Sequence, residues 1–406
     1  MTENDSMKWW VLLGLWLLYA SFGLIAASVA PMVARIEMDL GMSHAAMGSV
    51  MGAWQLVYIF AAIPCGLLLD RIGGRSALLI GALLIAVSGL GRAFAEDYWS
   101  FLASVMIFGI GGPIVSSGAP KVVAELFNGS QRGLAMGIYM TGPAVGGVIC
   151  LTLTNAYLLP VFDDQWRTVM LLWAGCAVLA GVIWWTLSAL TGLGGPQEPA
   201  AQRQTPQLHA MRDLVSAPAV RVVLLMSVGV FLYNHGLNNW LPELLRLSGK
   251  SATEAGYWAA LPTVVGILGS LLIPRLATPE RRFKILGVLC VAAFLASLML
   301  QAADDLTLGA GLVLQGIARS SLMTVLILTL VELPGIGERR VGVASGMFFS
   351  AAEVGGVLGP LGMGLAYDMT GGFDGALFGM SGVALVLMVG SWYLGRFARR
   401  GESKPV

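Results

Sequence analysis

Charged residues are scarce in this sequence. They make up only 12% of its 406 residues, whereas about 25% is usual for a soluble domain, and 57% of the residues are hydrophobic. A soluble fold cannot bury so much apolar surface, so an ordinary water-soluble domain is excluded. The formal net charge of +1 gives no excess of basic residues for binding nucleic acid. We therefore predict an integral membrane protein that binds no nucleic acid.

Cysteine and the motifs of soluble enzymes are scarce as well. The four cysteines lie inside apolar runs, without the paired spacing of a disulfide framework or a metal site (Cys65, Cys150, Cys176 and Cys290). The sequence contains no G-x-x-x-x-G-K-[ST] loop, which argues against ATP hydrolysis by this chain, and no dinucleotide-binding fingerprint in a strand context. We expect no catalytic residues, no cofactor and no metal ion.

What the sequence does contain is a series of long apolar runs. Each is long enough to cross ~30 Å of hydrocarbon as a helix, which takes about 20 residues. The twelve predicted spans cover residues 9–31, 45–69, 76–94, 99–120, 134–159, 168–190, 221–242, 256–274, 284–303, 307–331, 341–367 and 375–395. The longest polar stretch follows the sixth span. The sequence thus predicts an all-α membrane protein with a six-helix half over 1–190, a cytoplasmic linker over 191–220 and a second six-helix half over 221–406.

The positions of lysine and arginine predict the orientation. Most of them fall in loops on one side of the predicted spans, and positively charged loops stay in the cytoplasm. This places both termini in the cytoplasm and fits an even number of spans. We expect a monomer in the inner (plasma) membrane.

The two halves repeat each other at a spacing of about 207 residues. In the fifth and eleventh spans, Gly137-Ile-Tyr-Met-Thr141 followed by Val145-Gly-Gly-Val148 matches Gly346-Met-Phe-Phe-Ser350 followed by Val354-Gly-Gly-Val357. A second match, before the second and eighth spans, pairs Gly41, Ser43 and Gly48 with Gly249, Ser251 and Gly256. Such parallel repeats indicate a duplicated six-helix unit, an arrangement known in transporters.

The loop between the second and third spans carries a motif. It reads Gly66-Leu-Leu-Leu-Asp70-Arg71-Ile-Gly73-Gly-Arg75. This resembles the signature loop of the major facilitator superfamily, G-x-L-A-D-R-x-G-R-R, from which Leu69 and Gly74 depart. Gly66 is expected to permit close helix approach. The resemblance implies a secondary transporter in which Gly66, Asp70, Arg71, Gly73 and Arg75 form a conformational latch; a charged turn that obeys the positive-inside rule is the alternative.

The fifth span contains a second motif, Gly142-Pro143-Ala-Val-Gly146-Gly147. It resembles the G-P-x-x-G-G core found in proton-driven exporters of the same superfamily. A close-packed helix with a proline kink explains it equally. The glycine expected four residues earlier is Ile138, and Ser104 stands where such exporters carry an arginine.

Two ionisable residues lie near the predicted midplane. Arg319 and Glu353 are each about 12 residues from the cytoplasmic end of their spans, which places both about 18 Å deep. A charge there costs at least ~2.5–3.5 kcal/mol, so it must be paired, solvated or functional. Three interpretations remain open: a structural Arg319–Glu353 pair, an anion site in which Glu353 carries a coupling proton, or separate partners, with Glu353 meeting a cationic solute.

Further polar and aromatic residues accompany them. In span seven they are Tyr233, Asn234, His235 and Asn238, and the first-half candidates are Tyr19, Trp54, Gln55 and Tyr58. Each is a candidate for substrate binding or proton coupling, or a packing residue. Gly111-Gly-Pro113 in the fourth span predicts a locally loosened helix whose backbone could reach a ligand.

These observations predict a secondary active transporter that works by rocker-switch alternating access. Its substrate is expected to be a small organic or inorganic anion, moved together with protons. Asn239-Trp240-Leu241-Pro242 and the Glu353-Val-Gly-Gly run resemble the cyanate-type and monocarboxylate-type branch of the superfamily. The alternative is a proton-coupled exporter of drugs, metabolites or a small cationic solute.

Overall fold

The computed structural model describes residues 3–191, 207–333 and 336–402, and these residues form helices and short connections without any strand. Residues 192–206 of the predicted linker over 191–220 therefore lie outside the described residues. Within the predicted linker, Gln207–Ser216 form a helix, and the next helix begins at Pro218.

The chain folds as two compact units. The first consists of Met1–Gln202 with Leu245–Ala260, and the second of Arg203–Leu244 with Leu261–Val406. The segment from Leu245 to Ala260 belongs to the first unit because Thr253 Oγ1 donates to the Asn155 carbonyl at 3.3 Å and because Gly256 has no side chain to separate it from the Leu151 carbonyl.

The helices that begin before the linker are α1 (Glu3–Ala27), α2 (Val33–Leu40), α3 (His44–Ala93), α4 (Tyr98–Leu126), α5 (Gly129–Met140), α6 (Gly142–Leu153), α7 (Leu159–Val161) and α8 (Trp166–Ser188). Short 3-10 turns cover Ala30–Met32 and Ala189–Thr191, and a π-turn covers Thr154–Leu158. The helices after the linker are α9 (Gln207–Ser216), α10 (Pro218–Leu247), α11 (Ala252–Leu276), α12 (Arg282–Met299), α13 (Asp305–Val331), α14 (Gly337–Thr370) and α15 (Asp374–Glu402).

The prediction of twelve spans is confirmed by these helices. Eleven helical segments of the described chain are long and apolar enough to cross a membrane. One of them, α3, has 50 residues and is broken at Gly73, whose φ of 76° and ψ of 162° are not helical. It contains two predicted spans, which lie on either side of that glycine.

The repeat is visible in the structure at the N-termini of α3 and α11. Gly41 and Gly249 both adopt positive φ, at 62° and 94°, where glycine avoids the strain of a side chain. The hydroxyls of Ser43 and Ser251 then cap α3 and α11 by accepting from the backbone N–H three residues later. Each sequence match therefore marks a turn and a helix cap that occur twice.

A second pair of caps lies outside the predicted spans. Asp97 and Asp304, about 207 residues apart, cap α4 and α13. The Ser100 hydroxyl and backbone N–H donate to Asp97 and lower its pKa, and the Thr307 backbone N–H does the same for Asp304. A single aspartate among apolar runs is a weak signal, so the sequence alone does not predict this pair of caps.

Glycines set the distances between helices at matching positions. A Cβ at Gly146 would collide with the Ala20 carbonyl of α1, and one at Gly355 with the Val228 carbonyl of α10. The backbones of these helix pairs are therefore in direct contact, as small residues allow in membrane proteins. Gly142-Pro143 belongs to the first contact: the helix turns at Thr141, and Gly142 lies against the Trp16 carbonyl.

We expect Gly355→Ala to destabilise the protein, because the added methyl group would push α10 away from α14. Overpacking of this kind costs about 1–3 kcal/mol. Gly362, on the same helix, has open space around its Cβ position, so Gly362→Ala is the matched control and should unfold at or above the wild-type temperature. Thermal unfolding in detergent measures both; equal stability of the two variants would contradict the packing account.

The expected loosening of the fourth span is wrong. Helix α4 continues without interruption through Gly111, Gly112 and Pro113. The glycines serve packing instead, because a Cβ at Gly111 would lie 3.0 Å from the Gly81 carbonyl oxygen and one at Gly112 would touch the rings of Phe22 and Tyr58.

Candidate functional site

The polar site of the second unit is built on a close approach of α11 and α13. Gly316 lies against the Pro262 carbonyl, where a side chain would not fit. Thr263 follows Pro262 directly, and Arg319 is one helical turn after Gly316, so the close contact brings the Thr263 hydroxyl to the arginine. Arg319 Nη2 donates to Thr263 Oγ1 at 3.0 Å.

Helix α10 completes the surroundings of Arg319. Arg319 Nη1 donates to Asn238 Oδ1, and Asn234 Nδ2 donates to the Arg319 carbonyl at 3.2 Å. Asn234 and Asn238 are four residues apart and so lie on one face of the helix. Two of the five N–H groups of the Arg319 guanidinium are thus bonded, one to Asn238 and one to Thr263, and both acceptors are neutral oxygens.

Glu353 is not among the residues bonded to Arg319. Its side chain is only 6% exposed, and its Oε2 atom has no hydrogen-bond partner. Among the residues that the structure describes, no basic nitrogen lies within 4.0 Å of the carboxylate, and Arg319 is bonded to other groups. A direct Arg319–Glu353 ion pair is thus absent from the described chain, so two of the three interpretations remain.

His235 and Tyr233 have other surroundings. The His235 imidazole lies 5.4 Å from the Phe231 ring, and the His235 carbonyl accepts from Asn239 Nδ2. Tyr233 is fully buried and donates to the Ala293 carbonyl of α12 at 2.9 Å. This hydrogen bond joins α10 to α12.

The first-unit candidates belong to a cluster of aromatic rings. Ring centroids of Trp54 and Tyr58 lie 6.3 Å apart, and Tyr19 lies 5.6 Å from Phe22. The remaining centroid distances are Phe22–Phe108 4.9 Å, Trp54–Phe108 5.4 Å and Tyr19–Tyr139 5.6 Å. The Tyr58 hydroxyl shares a hydrogen bond of 2.9 Å with Ser116, and Gln55 is fully buried.

The repeat shows how differently the two units are equipped. The position about 207 residues before Arg319 is Gly112, where a Cβ would meet Phe22 and Tyr58. The partner of Thr263 in this comparison is Gln55 within one residue, and Glu353 replaces Ala144. The same backbone scaffold therefore carries aromatic rings in the first unit and charged and amide groups in the second.

Residues of the signature loop contact α4 and α8 of the first unit. Lys121 Nζ donates to Asp70 Oδ1 at 2.8 Å, and Arg75 donates to the Trp185 carbonyl while stacking on its ring at 3.9 Å. Gly73 supplies the non-helical turn between the two spans. Arg71 is exposed.

Gly66 of this loop does not make a close helix contact. Gly66 was expected to permit close helix approach, but a Cβ there would meet nothing within 4 Å. Gly74 is the packed glycine instead, since its Cβ would lie 2.7 Å from Val122 Cγ2. This contact also explains why glycine stands where the superfamily pattern has arginine.

Sequence reasoning missed Arg92, which is fully enclosed although it lies near the end of its span. Its Nη1 donates to the Ile25 carbonyl at 2.7 Å and to Ser28 Oγ at 3.1 Å, and its guanidinium lies 5.5 Å from the Phe108 ring. It thereby binds the last turn of α1, where carbonyls lack helical partners. An arginine beside a loop signals only orientation in the sequence.

The helices of both units define a multi-pass membrane protein. Residues 13–360 match the family model of the Major Facilitator Superfamily, and the chain belongs to that family. Relatives include the gallate transporter of Pseudomonas putida, 26% identical over 77% of this chain and 74% of that protein, and a putative tartrate transporter of Agrobacterium vitis, 24% identical over 89% and 84%. A quinolone resistance transporter of Acinetobacter baumannii is 25% identical over 86% and 84%. Among solved structures, a bacterial homologue of the human lysosomal transporter Spinster has the same fold, with a TM-score of 0.75 over 97% of both chains at 18% identity.

Proposed function

We propose that the protein is a secondary transporter that carries a small organic anion across the membrane together with protons. The observation that supports this most directly is the surroundings of Arg319. Its guanidinium lies within a predicted span and donates to two neutral oxygens, Asn238 Oδ1 and Thr263 Oγ1. A cation in that position costs several kcal/mol unless it is compensated, so a substrate carboxylate is the natural counter-ion.

The names of two relatives support an organic acid. Gallate and tartrate are both carboxylates, and the proteins named as a gallate transporter and a putative tartrate transporter align with most of this chain. An inorganic anion would also neutralise Arg319, but the neighbouring amide groups would then have no function in binding.

The proton is assigned to Glu353. An ionised carboxylate at this buried place would be a charge without a counter-ion, so we propose that Glu353 holds a proton while it is enclosed and exchanges it when the site opens. Because Glu353 and Arg319 are not bonded to each other, the proton and the anion can occupy separate groups.

We also propose where the protein is located and how it is oriented in the membrane. We place both termini in the cytoplasm and the protein in the inner membrane as a monomer, from the distribution of its basic loops. Residues 1–190 and 221–406 are the halves whose rocking would give alternating access, with 191–220 as the linker.

Uptake into proteoliposomes tests the proposal. We expect labelled tartrate or gallate to accumulate when the outside is more acidic than the lumen, and accumulation to collapse when a protonophore is added. Choline and a neutral sugar serve as the cation and neutral controls, and protein-free liposomes show leakage. Transport of cations or drug-like molecules alone, in the outward direction, would contradict the anion proposal.

An exporter is the second candidate, since Gly142-Pro143 fits the exporter motif and one relative is named for quinolone resistance. In the structure, however, both Gly142 and Gly146 are occupied in packing against α1, which explains the motif without export. Outward movement in the same proteoliposomes distinguishes the two candidates.

The signature loop is proposed to act as a latch, and breaking it should change the rate of transport. In Asp70→Asn, the ion pair with Lys121 is lost, and we expect the maximal rate to fall about tenfold while the substrate KM stays within about twofold. Asp70 is mostly exposed, so the unfolding temperature should remain near that of the wild type. Asp305→Asn, which neutralises an acidic residue at the start of α13, is the control. A variant with an unchanged rate would show that the loop only obeys the positive-inside rule.

A further inference from the structure

We infer that the substrate is a hydroxylated carboxylate, and that Gln315 and Asn234 bind its hydroxyl groups while Arg319 binds its carboxylate. This inference rests on the proposed function and adds the substrate class. All three residues belong to the second unit, and two of them lie on one helix.

Gln315 is a polar residue that the fold leaves unused. Its side chain is fully buried in α13, and neither Nε2 nor Oε1 has a hydrogen-bond partner. It precedes Arg319 by four residues, so the two side chains lie on the same face of the helix, about one turn apart. Most buried amides in folded proteins are bonded, and each exception requires an explanation.

Asn234 provides a second unused group beside the same arginine. Its Nδ2 donates to the Arg319 carbonyl at 3.2 Å, which fixes the orientation of the amide. Its Oδ1 is buried and has no partner. The unused group is therefore an acceptor, and only a donor can satisfy it.

The chemistry of these groups selects the ligand. A carboxylate offers acceptors only, so it can pair with the remaining N–H groups of Arg319 but not with Asn234 Oδ1. A hydroxyl group both donates and accepts, which satisfies Asn234 Oδ1 and either end of the Gln315 amide. A carboxylic acid with at least one hydroxyl group offers each of the three residues a partner of the right kind.

The expected selectivity is large. A site that is built to bond a hydroxyl rejects the analogue that lacks it, because its own polar groups then stay buried and unpaired. A site that only attracts negative charge would bind both analogues alike. Comparison of a hydroxylated acid with its deoxy analogue therefore isolates this inference from the anion proposal.

Isothermal titration calorimetry on the purified full-length protein tests it with three matched pairs of acids: tartrate and succinate, gallate and benzoate, glycerate and propionate. We expect at least one pair in which the hydroxylated acid binds about tenfold or more tightly. Equal affinity within every pair would overturn the inference and leave the anion proposal standing. Absence of binding by all six acids would contradict the anion proposal and this inference together.

Gln315→Met tests the residue itself, since methionine has a similar shape and no polar amide. We expect the preference for the hydroxylated acid to shrink about tenfold, the deoxy acid to bind as before, and the unfolding temperature to stay equal or rise, because an unpaired buried amide has been removed. Gln301→Met is the control, since Gln301 Nε2 is already bonded to the Ser297 carbonyl at 3.2 Å.

The opposite pattern would overturn the assignment. Unchanged selectivity with a lower unfolding temperature would show that Gln315 only stabilises the fold. Asn234→Ala repeats the test with a second residue, so the inference stays falsifiable if Gln315→Met does not fold; Asn234→Ala with full selectivity would count against it.

Discussion

Arg319→Ala is expected to abolish transport of every carboxylate substrate. The guanidinium is bonded to Asn238 and Thr263 and has no carboxylate partner within the described chain, so its remaining N–H groups are available to the substrate. Loss of one member of a hydrogen-bonded charge pair costs about 2–5 kcal/mol, which is roughly 30-fold or more in affinity. Initial uptake rates in proteoliposomes at a fixed low substrate concentration measure the loss.

Two further variants separate charge from geometry. Arg319→Lys keeps the charge but loses the planar fork that binds a carboxylate with two parallel bonds, so we expect it to retain only a small part of the activity. Arg396→Ala removes an arginine that stacks on Trp392, and transport should continue. Wild-type uptake by Arg319→Ala that folds normally would refute the anion site.

Glu353→Gln is expected to uncouple transport from the pH gradient. Glutamine imitates the protonated carboxyl in shape and charge, and the unpartnered Oε2 leaves the fold without a bond to lose. Accumulation driven by an inward proton gradient should disappear, whereas exchange of labelled for unlabelled substrate, which needs no net proton movement, should persist. Both are measured in the same proteoliposome preparation.

The control for this variant is Glu332→Gln, which removes a carboxylate that is bonded to Arg282 and lies at the end of α13. It should keep accumulation, although the protein should become less stable. If Glu353→Gln still concentrates substrate against its gradient, Glu353 is not the proton carrier.

Much of the scaffold could be predicted from the sequence. Apolar runs of span length are a direct consequence of the bilayer, and the glycines and serines repeated about 207 residues apart specify turns and caps that each half needs. Arg319 could be singled out as a candidate site residue because a charge within a span is expensive wherever its side chain points.

The remaining candidate site residues depend on the orientations of their side chains, which the sequence does not show. Tyr233 and Asn234 are adjacent in the chain, yet one hydroxyl bonds to α12 and the other side chain bonds to α13. Thr263 and Gln315 look like ordinary polar residues within their spans, and only the close contact at Gly316 brings the first to Arg319. Gly66 shows the reverse case, since it matches a motif and packs against nothing.

The differences between the units also have a physical reason. Helix contacts through Gly146 and Gly355 must be kept in both units because a side chain would separate the backbones. The residues that we propose to face a substrate are free of that requirement, so one unit carries the Tyr19, Trp54 and Tyr58 rings and the other carries Arg319, Asn234 and Glu353.

Substrate-driven proton movement tests the central claim most directly. Proteoliposomes that contain a pH-sensitive dye, with no imposed pH gradient, receive tartrate or gallate outside. We predict that the lumen becomes acidic as the acid enters, that Arg319→Ala abolishes both entry and acidification, and that Glu353→Gln abolishes the acidification. Entry of the acid through the wild-type protein without any acidification, or acidification by a cation instead, would contradict the account.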